Sequence, residues 1–394
     1  MTAETKIEFE IGPAVIGDVD ELLKLYFTVY GNNYPLAYGT DAKVMADAIQ
    51  SNEHVWLVTR EKSSRKIVGS VVFELDPLNK VAKIVALVTH PNFRTHRLGS
   101  RMIESQTTEL LGPKGAMNSV YATTRTVSIG VQLIFVRLGF LTLGIFPNAH
   151  KLREYETTTL FAKFRDGVLA RRDPSVAIPA KLGPIYAVLG DQITALGIPA
   201  PKPRTLPPTV APGKPPAYYG DASEFEVVDA PEFVKRQYLA TFTDPYDRFY
   251  PFHQPNRLVA SRDGKTEVYA HFSRPDRYCA ILTLNAPIHA IGHRIPSLLS
   301  ALRDHGASYF EVLIGVQHQK SIETLMQHRF LPSAIYPAMT ESEGKLHDFV
   351  VMSRSMEPLN FQGMTIDHSL KPYVDQYVEL WKKMHLDSLE IFDE

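Results

Sequence analysis

Arg94, His96, Arg97 and Gly99 crowd a short part of the stretch Val81 to Ile103, where an apolar run gives way through a basic turn to a helical pattern. That combination suits an anion. The leading amides of a helix have no partner within it and lie at the positive end of its dipole. The backbone N–H groups of Thr95, His96, Arg97, Leu98, Gly99 and Ser100 are therefore expected to form a cluster of donors. Arg94, Arg97 and His96 add positive charge, and a diphosphate is the ligand this arrangement fits.

Two elements must hold such a turn. Val81, Ile84, Val85, Leu87 and Val88 are strand formers, and His90-Pro91-Asn92 stops the strand. Leu98, Met102 and Ser105 then resume at helical spacing, which predicts a helix over 98–111. Before this pair the chain reads as a strand at 6–10, helices at 16–30 and 41–51, and strands at 55–60 and 67–75. After it come a strand at 119–124, a helix at 129–138 and strands at 141–146 and 156–164.

The stretch from His90 to Ser100 resembles the acyl-CoA pyrophosphate loop of the GNAT N-acyltransferase superfamily, whose pattern is Arg or Gln, two residues, Gly, one residue, then Gly or Ala. Arg94 and Gly99 match, whereas Arg97 stands at the first glycine position. If the backbone there is left-handed, an arginine costs about 1–2 kcal/mol relative to glycine. Phe135-Val-Arg-Leu-Gly139-Phe140 is similar to the family's Tyr-x-x-x-Gly-Phe signature, with phenylalanine in place of tyrosine. The resemblance covers about residues 6–164 well and 224–356 loosely.

The resemblance implies a fold, an activity and a set of site residues. It implies acetyl-CoA or another acyl-CoA as co-substrate, no metal, and a small-molecule or peptide amine as acceptor. The pantetheine arm of the cofactor would pair with backbone groups of Leu87, Val88 and Thr89, and its diphosphate would lie on Arg94–Ser100. The usual proton donor to the leaving thiolate is absent, because Phe135 has no hydroxyl. The usual base is a glutamate on the fourth strand, where this chain has Lys83; Glu74, Tyr121, His90 or a water molecule stand as alternatives, as does an amine arriving neutral. Tyr26, Tyr30, Tyr34 and Tyr38 recur every fourth residue, the first two as a stripe on the first helix. Gly31, Asn32, Asn33 and Pro35 should end that helix, which leaves Tyr34 and Tyr38 in the loop expected to wall an acceptor pocket.

Landmarks recur along the chain. Tyr30-x-x-x-Tyr34-Pro35 is matched by Tyr246-x-x-x-Tyr250-Pro251, Leu57-Val58 by Leu258-Val259, and Phe140-Leu141-x-x-x-Ile145-Phe146-Pro147 by Phe330-Leu331-x-x-x-Ile335-Tyr336-Pro337. Their common order predicts a duplicated unit. Tyr34 to Leu57 spans 23 positions and Tyr250 to Leu258 spans 8, a difference the size of the helix at 41–51. Leu284–Arg294 carries no Arg-x-x-Gly-x-Gly pattern, so the second copy is expected to have lost its nucleotide site. The fold class expected is α/β with mixed sheets: two tandem GNAT-like domains, each a mostly antiparallel twisted sheet flanked by helices. The boundaries are 1–165 for the first domain, 166–220 for a helix (178–196) and a proline-rich linker, 221–357 for the degenerate domain, and 358–394 for a tail with an amphipathic run at 373–384.

Composition narrows the remaining classes. A chain of 394 residues, 44% hydrophobic, is long enough for two cores. A formal charge of −1 gives no reason to expect nucleic acid or an anionic membrane as partner. Cys279 is the only cysteine, which excludes an intramolecular disulfide and a multi-cysteine metal site. The fourteen histidines form no ligand set; His90 and His96 flank the turn without an acidic neighbour. Met1–Glu10 is polar, and no apolar run nears the roughly 20 residues of a membrane span, so a cytoplasmic location is expected. The second reading the sequence allows is a non-catalytic acyl-CoA-binding or interaction module, favoured by Phe135 and Arg97.

Overall fold

The computed structural model describes residues 7–198, 203–209, 216–342 and 344–386. The chain forms two compact units, each with mixed α/β structure. The first comprises residues up to Thr123 with Gly130–Leu141 and Phe161–Asp166, and the second comprises the rest.

The first unit contains β1 (Phe9–Pro13), α1 (Val19–Tyr30), α2 (Ala42–Gln50), β2 (His54–Glu61), β3 (Ile67–Asp76), β4 (Val81–Thr89), α3 (Leu98–Leu111), β5 (Ser119–Arg125) and α4 (Ile129–Arg137). The strands stand in the order β1-β2-β3-β4-β5, all antiparallel except the parallel pair β4–β5. Local chemistry explains the boundaries. Leu22, Leu25 and Tyr26 of α1 recur at helical spacing and are buried, and Gly31 (φ 61°) ends the helix. The Asp41 carboxylate accepts from the amides of Lys43 and Val44 and caps α2. One face of the sheet packs on α1 and α2 through Trp56, Val58, Val72 and Val88. The strand expected at 6–10 begins in the described residues at Phe9, and Lys6 lies outside them.

The second unit contains β6 (Leu141–Lys151), β7 (Tyr155–Phe164, whose last residues belong to the first unit), β8 (Ala177–Pro179), α5 (Gly183–Ala195) and β9 (Arg204–Leu206). It continues with β10 (Phe225–Val228), α6 (Pro231–Thr241), β11 (Arg257–Ser261), β12 (Glu267–Ser273), β13 (Tyr278–Leu284) and α7 (Ile295–Asp304). The last elements are β14 (Tyr309–Gly315), α8 (Gln319–Gln327), β15 (Leu331–Ser342), β16 (Lys345–Ser355) and α9 (Lys371–His385). In the order β10-β11-β12-β13-β14-β16-β15 the pair β13–β14 is parallel and the other pairings are antiparallel. Between α6 and β11 there is only a short 3-10 turn, Pro245–Arg248, where the first unit has α2.

The proline-rich linker contains a strand. Arg204–Leu206 pairs in parallel with Ala177–Pro179, so this part of the proline-rich stretch is a strand. Ile178 consequently belongs to β8, and the helix starts five residues later than the pattern suggests, at Gly183 with Pro184 in its first turn. Of the tail, residues 387–394 lie outside the described residues.

Candidate functional site

The basic turn is wound more tightly than a simple loop. Pro91–His96 forms a 3-10 turn, and Arg97 then takes a left-handed conformation (φ 55°, ψ 29°) as the N-cap of α3. The left-handed residue redirects the chain into the helix, which is why glycine suits this position and an arginine there costs about 1–2 kcal/mol. The 3-10 turn uses its own i−3 carbonyls, so the amides left over by helix geometry are those of Leu98, Gly99 and Ser100 rather than those of Thr95 and His96. The first bond of the ladder runs from Arg101 N–H to Arg97 O at 3.1 Å. No side chain caps α3. Arg94, Thr95, His96 and Arg97 are exposed. An edge-on contact of Phe9 with Phe93 (5.8 Å) and a tilted one with His96 (5.1 Å) fasten the turn to β1.

Beside the turn, the sheet is forked. The pairing of β4 with β5 runs from Val81–Ser119 to Ile84–Ala122 and stops, although both strands continue. A β-bulge opens the fork: Ser70 pairs with Val88 but Val72 with Val85, so β4 holds one residue more than β3, and Ala86 is left-handed (φ 55°). Tyr26 fixes the bulge by donating its hydroxyl to Ala86 O at 2.6 Å, while Trp56 Nε1 donates to Ser70 Oγ at 2.7 Å beside it. Leu87 is partly buried, and its side chain lies within ordinary contact of the site a Cβ on Gly99 would occupy, as does Ile134 of α4. Leu87, Val88 and Thr89 thus line the open side of the strand next to the leading amides of α3. This donor set, with exposed Arg94 and Arg97, fits a diphosphate joined to an extended arm.

Register assembles a second group on the α1–α2 face. His54 pairs with Glu74, Glu74 with Lys83, and Lys83 with Tyr121, which sets four polar residues in a row across β2 to β5. Tyr38 donates to Glu74 Oε1 at 2.7 Å and lies 2.9 Å from His54 Nε2. Burial first and the Glu74 carboxylate second push the Tyr38 hydroxyl well above its ordinary value, so it remains a donor at neutral pH. Glu74 Oε2 is buried with no hydrogen-bond partner, and Lys83 Nζ stands 4.0 Å away. That oxygen therefore keeps a lone pair unengaged by any hydrogen-bond donor among the described residues.

The other expected site residues are placed differently. Tyr34 stacks at a tilt on Tyr26 (4.9 Å) and Tyr30 (4.7 Å), and a Cβ on Gly39 would lie 2.2 Å from its ring. It is a packing residue against the α1 core. His90 caps the 3-10 turn, its Nδ1 accepting from the Asn92 amide at 3.3 Å. Tyr121 is buried in the row already described. Phe135 is 2% exposed, set between Phe140 (5.0 Å) and Phe161 (5.6 Å). Arg125 donates two bonds of 2.7 Å to the Glu156 carboxylate. Nothing in the sequence points to His54 or Ala86, and the helical stripe that includes Tyr26 does not show its bond to Ala86; these roles follow from strand register and a bulge.

The corresponding turn in the second unit is built otherwise. Ile288–Arg294 forms a 3-10 turn that runs into α7 without a left-handed residue, since Ile295 is right-handed. Gly220 lies directly on the start of α7: a Cβ there would be 2.4 Å from the Ser297 amide nitrogen and 2.7 Å from the Pro296 carbonyl carbon. The Gly220 amide itself donates to Ser300 Oγ at 3.1 Å. Buried His328 lines the adjoining cleft, and burial, with Arg354 and Arg329 next, lowers its pKa to about 4.

Among the described residues no helix is long and apolar enough to cross a membrane, and no group of three His, Cys, Asp or Glu is placed to hold a metal. Residues 18–140 match the model of the Acetyltransferase (GNAT) family. The match supports membership of that superfamily for this segment of the chain. No curated protein matches the chain. Among solved structures, an acetyltransferase of the GNAT family from Streptococcus pneumoniae is similar at 17% identity, covering 40% of this chain and 99% of that one, with a TM-score of 0.35. A variant of spermidine N-acetyltransferase from Vibrio cholerae is similar at 11% identity over 40% of this chain and 94% of its own, TM-score 0.35. NAA60 from Arabidopsis thaliana, in complex with a bisubstrate analogue, is similar at 12% identity over 41% and 99%, TM-score 0.35.

Proposed function

We propose that this chain is an acyl-CoA-dependent N-acyltransferase, with acetyl-CoA as the co-substrate and a small-molecule or peptide amine as acceptor. The observation that carries the reading is the β4–β5 fork beside the uncapped start of α3. The amides of Leu98–Ser100 with Arg94 and Arg97 would hold the diphosphate, and Leu87, Val88 and Thr89 the pantetheine arm. The amine nitrogen attacks the thioester carbonyl, a C–N bond forms and the C–S bond breaks, and the sulfur leaves as thiolate. Alignment of the two reactants in the fork supplies much of the rate. Glu74 accepts the proton of the attacking amine, held in place by Tyr38, which His54 supports. Phe135 cannot protonate the leaving sulfur, so that proton comes from another source. In the same reading residues 1–165 form the transferase domain, 166–220 a helix and linker, 221–357 a degenerate copy of the domain, and 358–394 a tail. The location proposed for such a chain is the cytoplasm.

Release of free CoA from acetyl-CoA in the presence of a panel of amines and peptides tests the activity. Glu74→Gln is expected to lower kcat about 10²-fold or more with KM for acetyl-CoA unchanged. Release no greater than in the absence of amines would replace the transferase with a non-catalytic acyl-CoA-binding module. Phe135→Tyr is expected to leave the rate unchanged or raise it.

A further inference from the structure

The second unit keeps a fork of its own. The pairing of β13 with β14 ends at Ile281–Val312, a register shift follows Tyr269, and both strands run on, to Leu284 and Gly315. A cleft of about 390 Å³ lies at this fork, with Leu282 and Leu313 among its lining residues. That volume is in the range of ordinary small-molecule sites. Because Gly220 lies on the leading amide of α7, an occupant of this fork gains no diphosphate cradle there, which favours a ligand without phosphates.

The walls specify its charge. Three aromatic rings line the cleft: Tyr246, which is 56% exposed, Phe249 and Phe349, the last two edge-on at 5.4 Å. Two carboxylates join them, Asp247 and Glu341, and neither lysine nor arginine occurs among the described lining residues. Glu341 is engaged by Arg171 from outside the cleft. Asp247 is exposed, and its carboxylate has no ion-pair partner among the described residues. Of the two lining histidines, His318 has its pKa lowered by burial, and His347 Nε2 lies 2.7 Å from Ser342 Oγ in a hydrogen bond. Aromatic faces beside a free carboxylate form the environment that attracts an organic ammonium group.

We infer that the fork of the second unit binds a small organic ammonium ion, an arylalkylamine or alkylamine, with Asp247 as counter-charge and Tyr246 as a wall. This site is separate from the proposed acyl transfer and stands whether or not the chain is a transferase. Phenethylamine, charged at pH 7, is the probe, and 3-phenylpropionate is its anionic counterpart of similar shape. Titration of the full chain without acetyl-CoA, read by ligand-observed NMR, is expected to show saturable binding of the amine and about tenfold weaker binding of the acid. Asp247→Asn and Tyr246→Ala, both at exposed positions that leave the fold intact, are each expected to weaken the amine about threefold to tenfold. Equal or tighter binding of 3-phenylpropionate would overturn the proposal. So would amine binding that neither variant changes, or an amine that does not bind at millimolar concentration.

Discussion

The turns at Arg94–Ser100 and Ile288–Ser297 each lead from a strand into a helix beside a forked sheet, yet the first meets only side chains at Gly99 whereas the second has the backbone of Gly220 laid on its helix start. In the first, a left-handed Arg97 precedes the helix, and the nearest atoms to a Cβ built on buried Gly99 would be side-chain carbons of Leu87 and Ile134, at 3.5 Å and beyond. In the second, no left-handed residue intervenes, Pro296 stands in the first turn, and the backbone of Gly220 rests on Ser297. The lesson is that a fork and an anion cradle are separable parts. The bulge makes the fork, while the turn and whatever lies on it decide whether the helix amides can receive a ligand.

The comparison breaks most readily at the first turn. Arg94→Ala combined with Gly99→Glu removes one cation and places an anion at the amides, and isothermal titration is expected to show acetyl-CoA bound at least about 100-fold more weakly, a loss of about 2.7 kcal/mol. Ser297→Glu in the occupied turn is expected to leave that affinity unchanged. Gly220→Ala drives a methyl group into the Ser297 amide and the Pro296 carbonyl carbon, so denaturant unfolding is expected to show a loss of about 1–3 kcal/mol, again with acetyl-CoA affinity retained.

His328 gives the occupied turn a pH signature. Its folded pKa of about 4 lies below the ordinary 6.5, so the unfolded chain binds the proton more readily. The stability it contributes is complete above pH 6.5 and is lost as the pH falls toward 4, by about 2–3 kcal/mol. Unfolding curves at pH 7 and pH 4.5 are expected to differ less for His328→Leu than for the parent chain. The smallest effect sharpens the comparison at its pivot. Arg97→Gly relieves the left-handed strain and is expected to raise stability by up to about 1–2 kcal/mol, while loss of the guanidinium weakens acetyl-CoA severalfold.

Most elements were legible because their signals are local. The strand 81–89 and helix 98–111 fall where alternation and helical spacing put them, and the cost of arginine at position 97 follows from the left-handed residue found there. The occupied turn was legible only as a missing pattern; nothing in a proline-rich stretch announces that Gly220 folds back onto Ser297. Ala86 was equally silent, since Val85-Ala86-Leu87 reads as plain strand and the bulge appears only against the register of β3. Glu74 and Tyr38 are each named by the sequence, but their meeting with His54 is not legible there, because it depends on the His54–Glu74 register and on the turn that carries Tyr38. Tyr34 was read as a pocket wall because the loop break after Gly31 is strong, but its ring turns inward onto Tyr26 and Gly39.

Amide hydrogen exchange with and without saturating acetyl-CoA tests the central claim most directly. The account predicts slowed exchange in the peptide covering residues 94–101, with the peptide covering 288–298 unchanged. Protection at 288–298, or none at either turn, would contradict it.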